Sequence, residues 1–586
     1  MKNKMNKIIE AIKTKRWVHY LIIVIIGLLI SIPFLWVQLY LSDDGKYHLL
    51  RLIGLDNSME YGSFPFLVFP FFCKNWGYSM MTFYPQLVTY IPYVLGLISG
   101  AFSTGLKIFA SLTVVFSGIF MYNLVNEVTK KKGIAFLSAI LYMIFPYRFE
   151  CLFNRFAIGE FTAFVFIPIV FQGLYNLLQG DKKRHYYIAI GATGLLLTHT
   201  ISTVYTALFC LIFVLFNLKA FFNKEVIKKC LINIVFILLV SAMFIIPMLE
   251  FKFTAEYAIL EPDVMKTNAE NVYTKTIKPS QFLKDIGEDN GVSFVVGIPF
   301  ITMILLGILA FRKIDKEHKD FYISFLLLGV ISIIMCTYLF PWRFMPDILC
   351  TLQYPWRLLG FAFFFFAPVC AMNVYYLLNS INKKWLKAIA WLLAIAIIAG
   401  FTVMELNQYP TNDTSLDAKY EGKNKENPQI DYFAINRDNM PKKALYNQFG
   451  YLETRKDNTE VISGNVNIVS ENKEALHLEI EIENAKKDTK LELPYLFYPG
   501  YTITLEYNGK ATKIDYYESE YGFVAINLPE DIETGKITVD YTATVLEKTA
   551  YAISAISIVG FIVYVICFRK KWKKEEQLNL PKEKIV

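Results

Sequence analysis

The chain has 586 residues, of which 55% are hydrophobic and 19% charged, and its mean hydropathy is +0.37. Soluble domains carry about 25% charged residues, so the composition excludes an ordinary soluble protein. Long apolar runs recur along the chain and predict a polytopic α-helical membrane protein. The net charge of +8 does not indicate a nucleic-acid partner, because the lysines cluster in short loops between apolar runs, where the positive-inside rule puts them.

Thirteen apolar segments are candidate membrane spans. Residues 1–17 are lysine-rich and lack a small-residue cleavage site, so we predict a retained first span. The stretch 86–102 is either a crossing or a re-entrant segment, and 13 crossings stay an alternative. The basic loops favour an even total of about 12–14 spans with both termini inside. The other twelve segments are 18–41, 105–127, 133–147, 161–179, 186–199, 202–220, 228–249, 292–311, 321–340, 358–379, 385–406 and 549–568.

This topology divides the chain into a cytoplasmic N-terminus, a transmembrane domain over residues 18–406 and a polar block over 407–547. We expect the first loop, residues 42–85, and the block 407–547 to lie outside the cell membrane. The last span, 549–568, then leads into a cytoplasmic basic tail, 569–586.

The polar block before the last span changes the periodicity of the sequence. Apolar and polar residues alternate in the runs 476–482, 501–507 and 536–541. Turn signals separate these runs, at Pro499-Gly500, Asn508-Gly509 and Thr534-Gly535. This pattern predicts a small antiparallel β domain over about residues 455–547.

The most informative motif follows the first span, where Asp43 and Asp44 precede His48 and Arg51. If the segment is helical, Asp44, His48 and Arg51 are spaced i, i+4, i+7 and share one face. An acid, a titratable ring and a guanidinium at a membrane surface can form a site for a phosphate-bearing, membrane-borne substrate. The alternative is an interfacial helix whose polar side faces water.

Further charged residues recur beside aromatic residues in the predicted outer loops. Each arginine can clamp a phosphate in a bidentate manner, while neighbouring Trp and Tyr side chains can stack on a sugar. Equally, these arginines can contact lipid headgroups, and the aromatic residues can belong to the interfacial belt. His199 stands between two threonines and can be a structural hydrogen-bonding group. The candidate substrate-binding residues, besides His48 and Arg51, are Arg148, Arg155, Glu160, His199, Arg343 and Arg357.

The cysteines and histidines show no metal-ligand spacing. Eight cysteines are scattered without a CxxC motif, and six histidines are scattered without HxH or HExxH, so nothing predicts a zinc site. Cys73, Cys151 and Cys350 fall in or near the predicted outer segments, where a disulfide is compatible with the sequence.

Several short motifs together resemble a family of bacterial membrane proteins. The chain resembles those labelled "6-pyruvoyl-tetrahydropterin synthase-related", and its Tyr498-Pro-Gly-Tyr501 turn is similar to that of YfhO-type membrane proteins. Both groups are similar to the GT-C superfamily of polytopic glycosyltransferases. The chain has no histidine ligand set like that of the soluble zinc synthase. The motifs are Asp43-Asp44 with His48 and Arg51, Phe83-Tyr84-Pro85, Tyr147-Arg148, Gly159-Glu160, Phe166-Ile-Pro168, Leu197-Thr-His199 and Gln353-Tyr-Pro-Trp-Arg357.

The GT-C resemblance implies transfer of a sugar from a polyprenyl-phosphate carrier to a cell-envelope glycan or glycolipid on the outer face. It also implies that an acidic residue of the first outer loop acts as general base, a position that Asp43 and Asp44 match. Adjacent helical residues point about 100° apart, so one of the two faces the acceptor, and Asp44 shares its face with His48 and Arg51. The Asp-Asp pair, in place of Asp-x-Asp, disfavours a bound divalent metal.

Three functions remain open from the sequence. The first is an inverting glycosyltransferase, in which one carboxylate suffices because a phosphate leaving group needs no general acid. The second is a transporter or flippase of lipid-linked saccharide, against which stand the lack of a clear internal repeat and the gathering of charges in loops. The third is a non-catalytic envelope biogenesis protein.

The predicted topology can be tested with cysteine labelling in intact cells, in a background without the native outer cysteines. Cysteines introduced at Lys183 and Lys571 should be protected from an impermeant thiol reagent, and one at Asn508 should react, since loop charge places the first two inside. Labelling at position 571 would contradict an even number of spans.

Overall fold

The computed structural model describes residues 15–35, 39, 42–283, 292–409, 437–446 and 449–578. In this part of the chain, each of the thirteen predicted membrane segments contains a helix, which confirms the mainly helical fold. The predicted N-terminus and basic tail are described only from residue 15 and only to residue 578. The helices of eight residues or more are α1 (Arg16–Ile30), α2 (Gly45–Tyr61), α3 (Leu87–Ser99), α4 (Phe102–Thr129), α5 (Lys132–Met143), α6 (Ile158–Leu178), α7 (Tyr187–Leu196), α8 (Thr200–Phe216), α9 (Lys224–Val240), α10 (Ala242–Thr254), α11 (Ile298–Leu305), α12 (Lys319–Cys336), α13 (Leu359–Asn379), α14 (Lys384–Leu406) and α15 (Val545–Leu578).

The helices differ in whether they can cross a bilayer alone. Among the described residues, six are long and apolar enough: α4, α6, α12, α13, α14 and α15. Two bent pairs raise the number to eight, namely α5 with Pro146–Asn154, at 48°, and α9 with α10, at 68°. The helices α1, α3 and α8 are apolar but shorter than the roughly 20 residues that a span needs. The sequence estimate of about 12–14 crossings counted these short and broken segments as full spans.

Two helices form the interior of the bundle and two lie at its edge. In the apolar windows of α13 and α6, 94% and 89% of the residues are buried, against 11% for α14 and 6% for α15. The Phe361–Phe366 run of α13 is therefore packing surface, and Phe363 stacks on Phe145 with ring centroids 4.8 Å apart. The exposed apolar faces of α14 and α15 are suited to contact lipid.

The predicted β domain is present as nine strands: β1 (Glu460–Ser463), β2 (Asn467–Glu474), β3 (His477–Ala485), β4 (Lys490–Leu496), β5 (Tyr501–Tyr507), β6 (Lys510–Ile514), β7 (Tyr516–Glu518), β8 (Phe523–Asn527) and β9 (Ile532–Tyr541). They form two antiparallel sheets, with strand orders β1-β4-β8-β7 and β2-β3-β9-β5-β6. The three alternating runs form β3, β5 and β9, neighbours in the larger sheet. Their buried residues include Ile480, Ile503 and Val539. The period-2 pattern therefore arises because one face of the sheet packs on the core.

Two of the three predicted turns of the β domain are present. Asn508 and Gly509 both have positive φ, 50° and 72°, as a two-residue hairpin between β5 and β6 requires. Pro499-Gly500 precedes β5. The prediction of a turn at Thr534-Gly535 is wrong, because both residues lie inside β9, where Gly535 pairs with Ile482.

The β domain is fastened to the first loop. The Leu496 N–H donates to the carbonyl of Trp76 at 2.9 Å, and the Lys473 ammonium donates to the carbonyl of Asn75 at 2.8 Å. The indole of Trp76 packs edge-on against Phe523, with ring centroids 5.0 Å apart. The β domain therefore holds the loop at residues 75–76, eleven positions before α3 begins at Leu87. No disulfide joins any of the cysteines that the structure describes, so the disulfide that the sequence allowed among Cys73, Cys151 and Cys350 does not form.

Candidate functional site

The Asp43-Asp44 pair lies at the start of α2, where its backbone is pinned to a neighbouring loop. The Asp43 N–H donates to the carbonyl of Asn154 at 3.3 Å, and the Asp44 N–H donates to the carbonyl of Arg155 at 2.9 Å. Asp44 occupies the N-cap of α2, yet within the described residues its side chain makes no capping hydrogen bond. The half-buried carboxylate of Asp44 is therefore not used to cap its own helix.

The glycine that follows makes this close turn sterically feasible. A Cβ at Gly45 would lie 2.1 Å from the carbonyl oxygen of Leu39 and 2.3 Å from Oγ of Ser42. No larger residue fits without moving backbone.

The neighbouring loop presents a buried ion pair. Nη1 of Arg155 lies 3.0 Å from Oε2 of Glu160 and also donates to the Tyr147 hydroxyl at 3.2 Å. The Tyr147 hydroxyl donates to the other oxygen, Oε1, of Glu160. The side chains of Arg155 and Glu160 are only 6% and 4% exposed, so the ion pair is buried. Both carboxylate oxygens of Glu160 accept a hydrogen bond within it.

A second arginine approaches the same carboxylate from the start of α13. Nε of Arg357 lies 3.8 Å from Oε2 of Glu160, which is an ion-pair distance and not a hydrogen bond. Nη1 of Arg357 donates at 3.1 Å both to the carbonyl of Leu352 and to Oε1 of Gln353. The guanidinium of Arg155 lies 4.6 Å from the ring centre of Trp356. The Gln353–Arg357 motif therefore contributes the guanidinium of Arg357, and its Trp356 ring packs against the guanidinium of Arg155.

Irregular backbone brings these residues together. The π-helix Glu150–Asn154 ends the bent helix pair, and Phe156 then has a φ of +48°, which turns the chain into α6. Near the start of α6, a Cβ at Gly159 would lie within about 3 Å of Thr198 O, the His199 ring and the Tyr84 hydroxyl. Such breaks in helix geometry occur often at functional sites.

His199 lies beside this junction as the N-cap of α8. Its Nδ1 accepts the backbone N–H of Ser202 at 3.3 Å and lies 2.7 Å from the Ser202 hydroxyl. This is the structural hydrogen-bonding role that the sequence left open. The ring also lies close enough to Glu160, Arg155 and Arg357 to interact with them electrostatically.

His48 and Arg51 share the face predicted for them, but that face is buried. They are only 4% and 1% exposed, so a helix with its polar side in water is the wrong interpretation for these two residues. The Arg51 guanidinium lies 3.8 Å from the ring centre of Tyr84, and the His48 ring lies 5.8 Å from the same ring. Burial, and next the charge of Arg51, hold the pKa of His48 well below its ordinary value, so its ring is neutral at pH 7.

The two remaining candidate arginines have other surroundings. Arg148 is fully buried, donates from Nε to the carbonyl of Tyr142 at 3.2 Å, and lies 4.8–5.1 Å from the ring centres of Tyr142, Phe145 and Phe164. Arg343 is half exposed and forms a bidentate pair with Glu270, with both N–O distances 2.9 Å. The structure thus brings together Asp43, Asp44, Arg155, Glu160, His199 and Arg357, which we call the acid–arginine cluster.

The electrostatics of the cluster favour a proton-accepting Asp44. Burial raises the pKa of Asp44 above its ordinary value, while the charges of Arg155 and Arg357 oppose that rise. For Arg155, burial is the largest single effect and lowers the pKa, but Glu160, Tyr147, Cys151 and Asp44 together hold the pKa well above its usual range. A carboxylate with a raised pKa is a stronger base, and the guanidinium group of Arg155 remains charged.

Two cluster neighbours are not among the sequence candidates. Tyr147 bridges Arg155 and Glu160, and the ring of Tyr84 lies against Arg51 and touches the start of α6. Both are part of the motifs Tyr147-Arg148 and Phe83-Tyr84-Pro85, which was the available signal. Tyrosine at a predicted span end is ordinarily an interfacial anchor, so the motif alone could not assign either to a site.

A possible metal site lies elsewhere. In the described residues, one group of histidine and carboxylate ligand atoms falls within 4.8 Å of one another, from Asp315, Glu317 and His318. Asp315 is already paired with Lys131, so its charge is compensated without an ion. The group lies in the loop before α12, outside the acid–arginine cluster.

Comparisons with known proteins give one relative in sequence. No family model matches the chain. A protein of Lactococcus lactis subsp. cremoris (strain MG1363), described as uncharacterized, is 22% identical over an alignment of 606 residues. The alignment covers 95% of this chain and 96% of that protein. The resemblance to the synthase-related and YfhO-type proteins therefore stays a prediction.

Among solved structures, two cryo-EM structures of the arabinofuranosyltransferase AftD from Mycobacteria, one of them a mutant, are similar to the chain. They are 13% and 14% identical over 68% and 67% of this chain, each with a TM-score of 0.42. The chain spans about a quarter of their length, 27% and 28%. A likeness of this size does not establish a shared activity.

The Glu160 pair should be essential to stability. Glu160→Gln leaves the buried Arg155 without its counter-charge, and breaking such a pair costs about 3–5 kcal/mol. We expect the thermal unfolding midpoint of the purified protein to fall sharply. Glu270→Gln, which removes the exposed partner of Arg343, is the matched control and should change the midpoint little. Equal midpoints for the two variants would contradict the central role of Glu160.

Proposed function

We propose that the chain is a GT-C-type glycosyltransferase that moves a sugar from a polyprenyl-phosphate carrier to a cell-envelope glycan or glycolipid. The observation that carries this proposal is the acid–arginine cluster, in which Asp44 is pinned through its backbone to the carbonyl of Arg155. A base and two cations are thereby held in one small region, as a displacement from a phosphate requires.

In this mechanism Asp44 is the general base. Its carboxylate takes the proton of the acceptor hydroxyl as that oxygen attacks the anomeric carbon and inverts its configuration. The bond from that carbon to the phosphate oxygen breaks, and the electron pair leaves with the lipid phosphate. Since the leaving phosphate needs no proton, one carboxylate suffices. Asp43 is exposed, and we assign it a contact with the acceptor rather than the role of base.

The two cluster arginines have different roles. Arg155 is already neutralised by Glu160 and holds the loop that pins Asp44, so we assign it a positioning role. Arg357 is separated from Glu160 by 3.8 Å and is partly exposed, with a side-chain accessibility of 14%. Arg357 therefore has the better geometry to bind the lipid phosphate.

Metal dependence can be judged from the charges of the cluster. The carboxylates of Asp43, Asp44 and Glu160 face the guanidinium groups of Arg155 and Arg357, so acids exceed bases by one. Glu160 is paired with both arginines, so Asp43 and Asp44 are the remaining carboxylates, and in the described part of the chain the cluster holds no group of three close ligand atoms for a divalent ion. We propose catalysis without a metal, and full activity in EDTA is the expected result.

The roles of the two aspartates can be separated by single substitutions. Asp44→Asn keeps the size of the side chain and removes the base, so turnover should fall by about 10²–10⁴-fold, while Asp43→Asn should have a much smaller effect. The assay is transfer of labelled sugar from polyprenyl phosphate in membranes that carry each variant. Asp347→Asn, an exposed carboxylate in another loop, is the control and should keep full activity.

The pH dependence gives a second test of the same residue. Activity should fall as pH falls through the raised pKa of Asp44, above the ordinary value of about 3.9, because the base is then protonated. The Asp44→Asn variant should lose this acidic limb. An unchanged acidic limb in that variant would assign it to another group.

The phosphate-binding role of Arg357 can be tested with lysine. Arg357→Lys keeps the charge but loses the planar fork, so we expect a loss of about 10- to 100-fold in activity. Arg343→Lys, whose arginine pairs with Glu270 on the surface, is the matched control and should remain active. Full activity of Arg357→Lys would show that the guanidinium does not clamp a phosphate.

A further inference from the structure

An apolar groove of about 630 Å³ lies between α9 and α15, and none of its lining residues belongs to the acid–arginine cluster. Its volume falls in the range of about 300–1,000 Å³ that small-molecule sites occupy. It is lined by Lys224, Ile227, Lys228, Leu231, Ile232, Val235, Phe236 and Tyr564.

The groove is built from one face of α9. Its lining positions on α9 recur three and four residues apart, the spacing of a single helix face. From Lys224 to Phe236 this face extends about 18 Å at 1.5 Å per residue, slightly more than half of a hydrocarbon core of about 30 Å. The face therefore has the length of one lipid leaflet.

The opposite wall is fixed by contacts with α15. The rings of Phe236 and Phe561 lie 4.8 Å apart, and the N–H of Met243 donates to Oγ of Ser554 at 2.8 Å. The chain bends by 68° between α9 and α10, and the part of α9 between Phe236 and Lys224 lines the groove. The Tyr564 hydroxyl lies 3.2 Å from Nε2 of His185, which holds this wall in place.

One end of the groove carries the positive charges of two lysines. Lys224 and Lys228 are exposed and, within the described residues, neither forms an ion pair, whereas the neighbouring Lys229 is paired with Glu225 at 2.6 Å. Two unpaired ammonium groups at the end of an apolar channel match a phosphate headgroup above an acyl chain.

We propose that this groove binds an anionic bilayer phospholipid, with its acyl chain along α9 and its phosphate between Lys224 and Lys228. The site is independent of the proposed transferase activity, because none of its residues belongs to the acid–arginine cluster. In this proposal the lipid lies beside the direct contacts that join α15, the helix after the β domain, to α9 and α10.

The test uses the full-length protein in detergent with equimolar phosphatidylglycerol and phosphatidylcholine, and native mass spectrometry counts the lipids retained. The wild type should retain phosphatidylglycerol in preference to phosphatidylcholine. Each lysine near an anionic headgroup contributes enough that the Lys224→Gln/Lys228→Gln variant should lose about 5- to 30-fold in retention. Lys383→Gln/Lys384→Gln, at the start of α14, removes the same charge away from the groove and should retain the lipid.

A second variant tests the acyl-chain channel with the charges in place. Val235→Trp fills the groove and should lower phosphatidylglycerol retention, with the thermal unfolding midpoint checked in phosphatidylcholine to confirm folding. Equal retention by the two lysine double variants, or equal retention of both lipids by the wild type, would overturn the proposal. Displacement of phosphatidylglycerol by an equal concentration of polyprenyl phosphate would show that an anionic phospholipid is not the preferred occupant.

Discussion

The buried ion pair between Glu160 and Arg155 is the constraint on which the candidate site depends. Two charges with almost no exposure are tolerable inside a membrane protein only when each is compensated, and here Tyr147 and Arg357 complete the surroundings of Glu160. The pair fixes the loop whose carbonyl groups hold Asp43 and Asp44 by their backbone. The geometry of the proposed base therefore follows from a carboxylate that takes no direct part in the reaction.

The first loop joins this cluster to the β domain. Tyr84 near its end packs on Arg51 and touches the start of α6, while Asn75 and Trp76 are held by the β domain. Movement of the β domain would therefore act on the loop that packs beside the acid–arginine cluster. Sequence separation is large, but the chain of contacts is short.

The elements of the fold were largely predictable, whereas their breaks were not. Long apolar runs and period-2 alternation indicate which residues are buried. The helices and the strands β3, β5 and β9 could therefore be predicted from the pattern of apolar residues. The turn predicted at Thr534-Gly535 failed because sheet pairing on both sides of β9 outweighs the local preference of glycine. The bends of 48° and 68° depend on packing between distant helices, which no local pattern encodes.

The same distinction applies to the site. Spacing alone could place Asp44, His48 and Arg51 on one face, but only tertiary packing shows that the last two are buried against Tyr84. Likewise, Arg343 and Arg357 occur in similar Trp-Arg motifs, yet one pairs with Glu270 on the surface and the other approaches Glu160.

The central claim is that Asp43 and Asp44 belong to a site that transfers a sugar. Release of the polyprenyl-phosphate carrier measures this transfer most directly. Proteoliposomes with polyprenyl phosphate carrying a labelled sugar, supplied with envelope acceptor, should accumulate free polyprenyl phosphate by mass spectrometry. The account predicts release by the wild type and none above background by the Asp43→Asn/Asp44→Asn variant that still inserts and folds. Release at the wild-type rate from that double variant would contradict it.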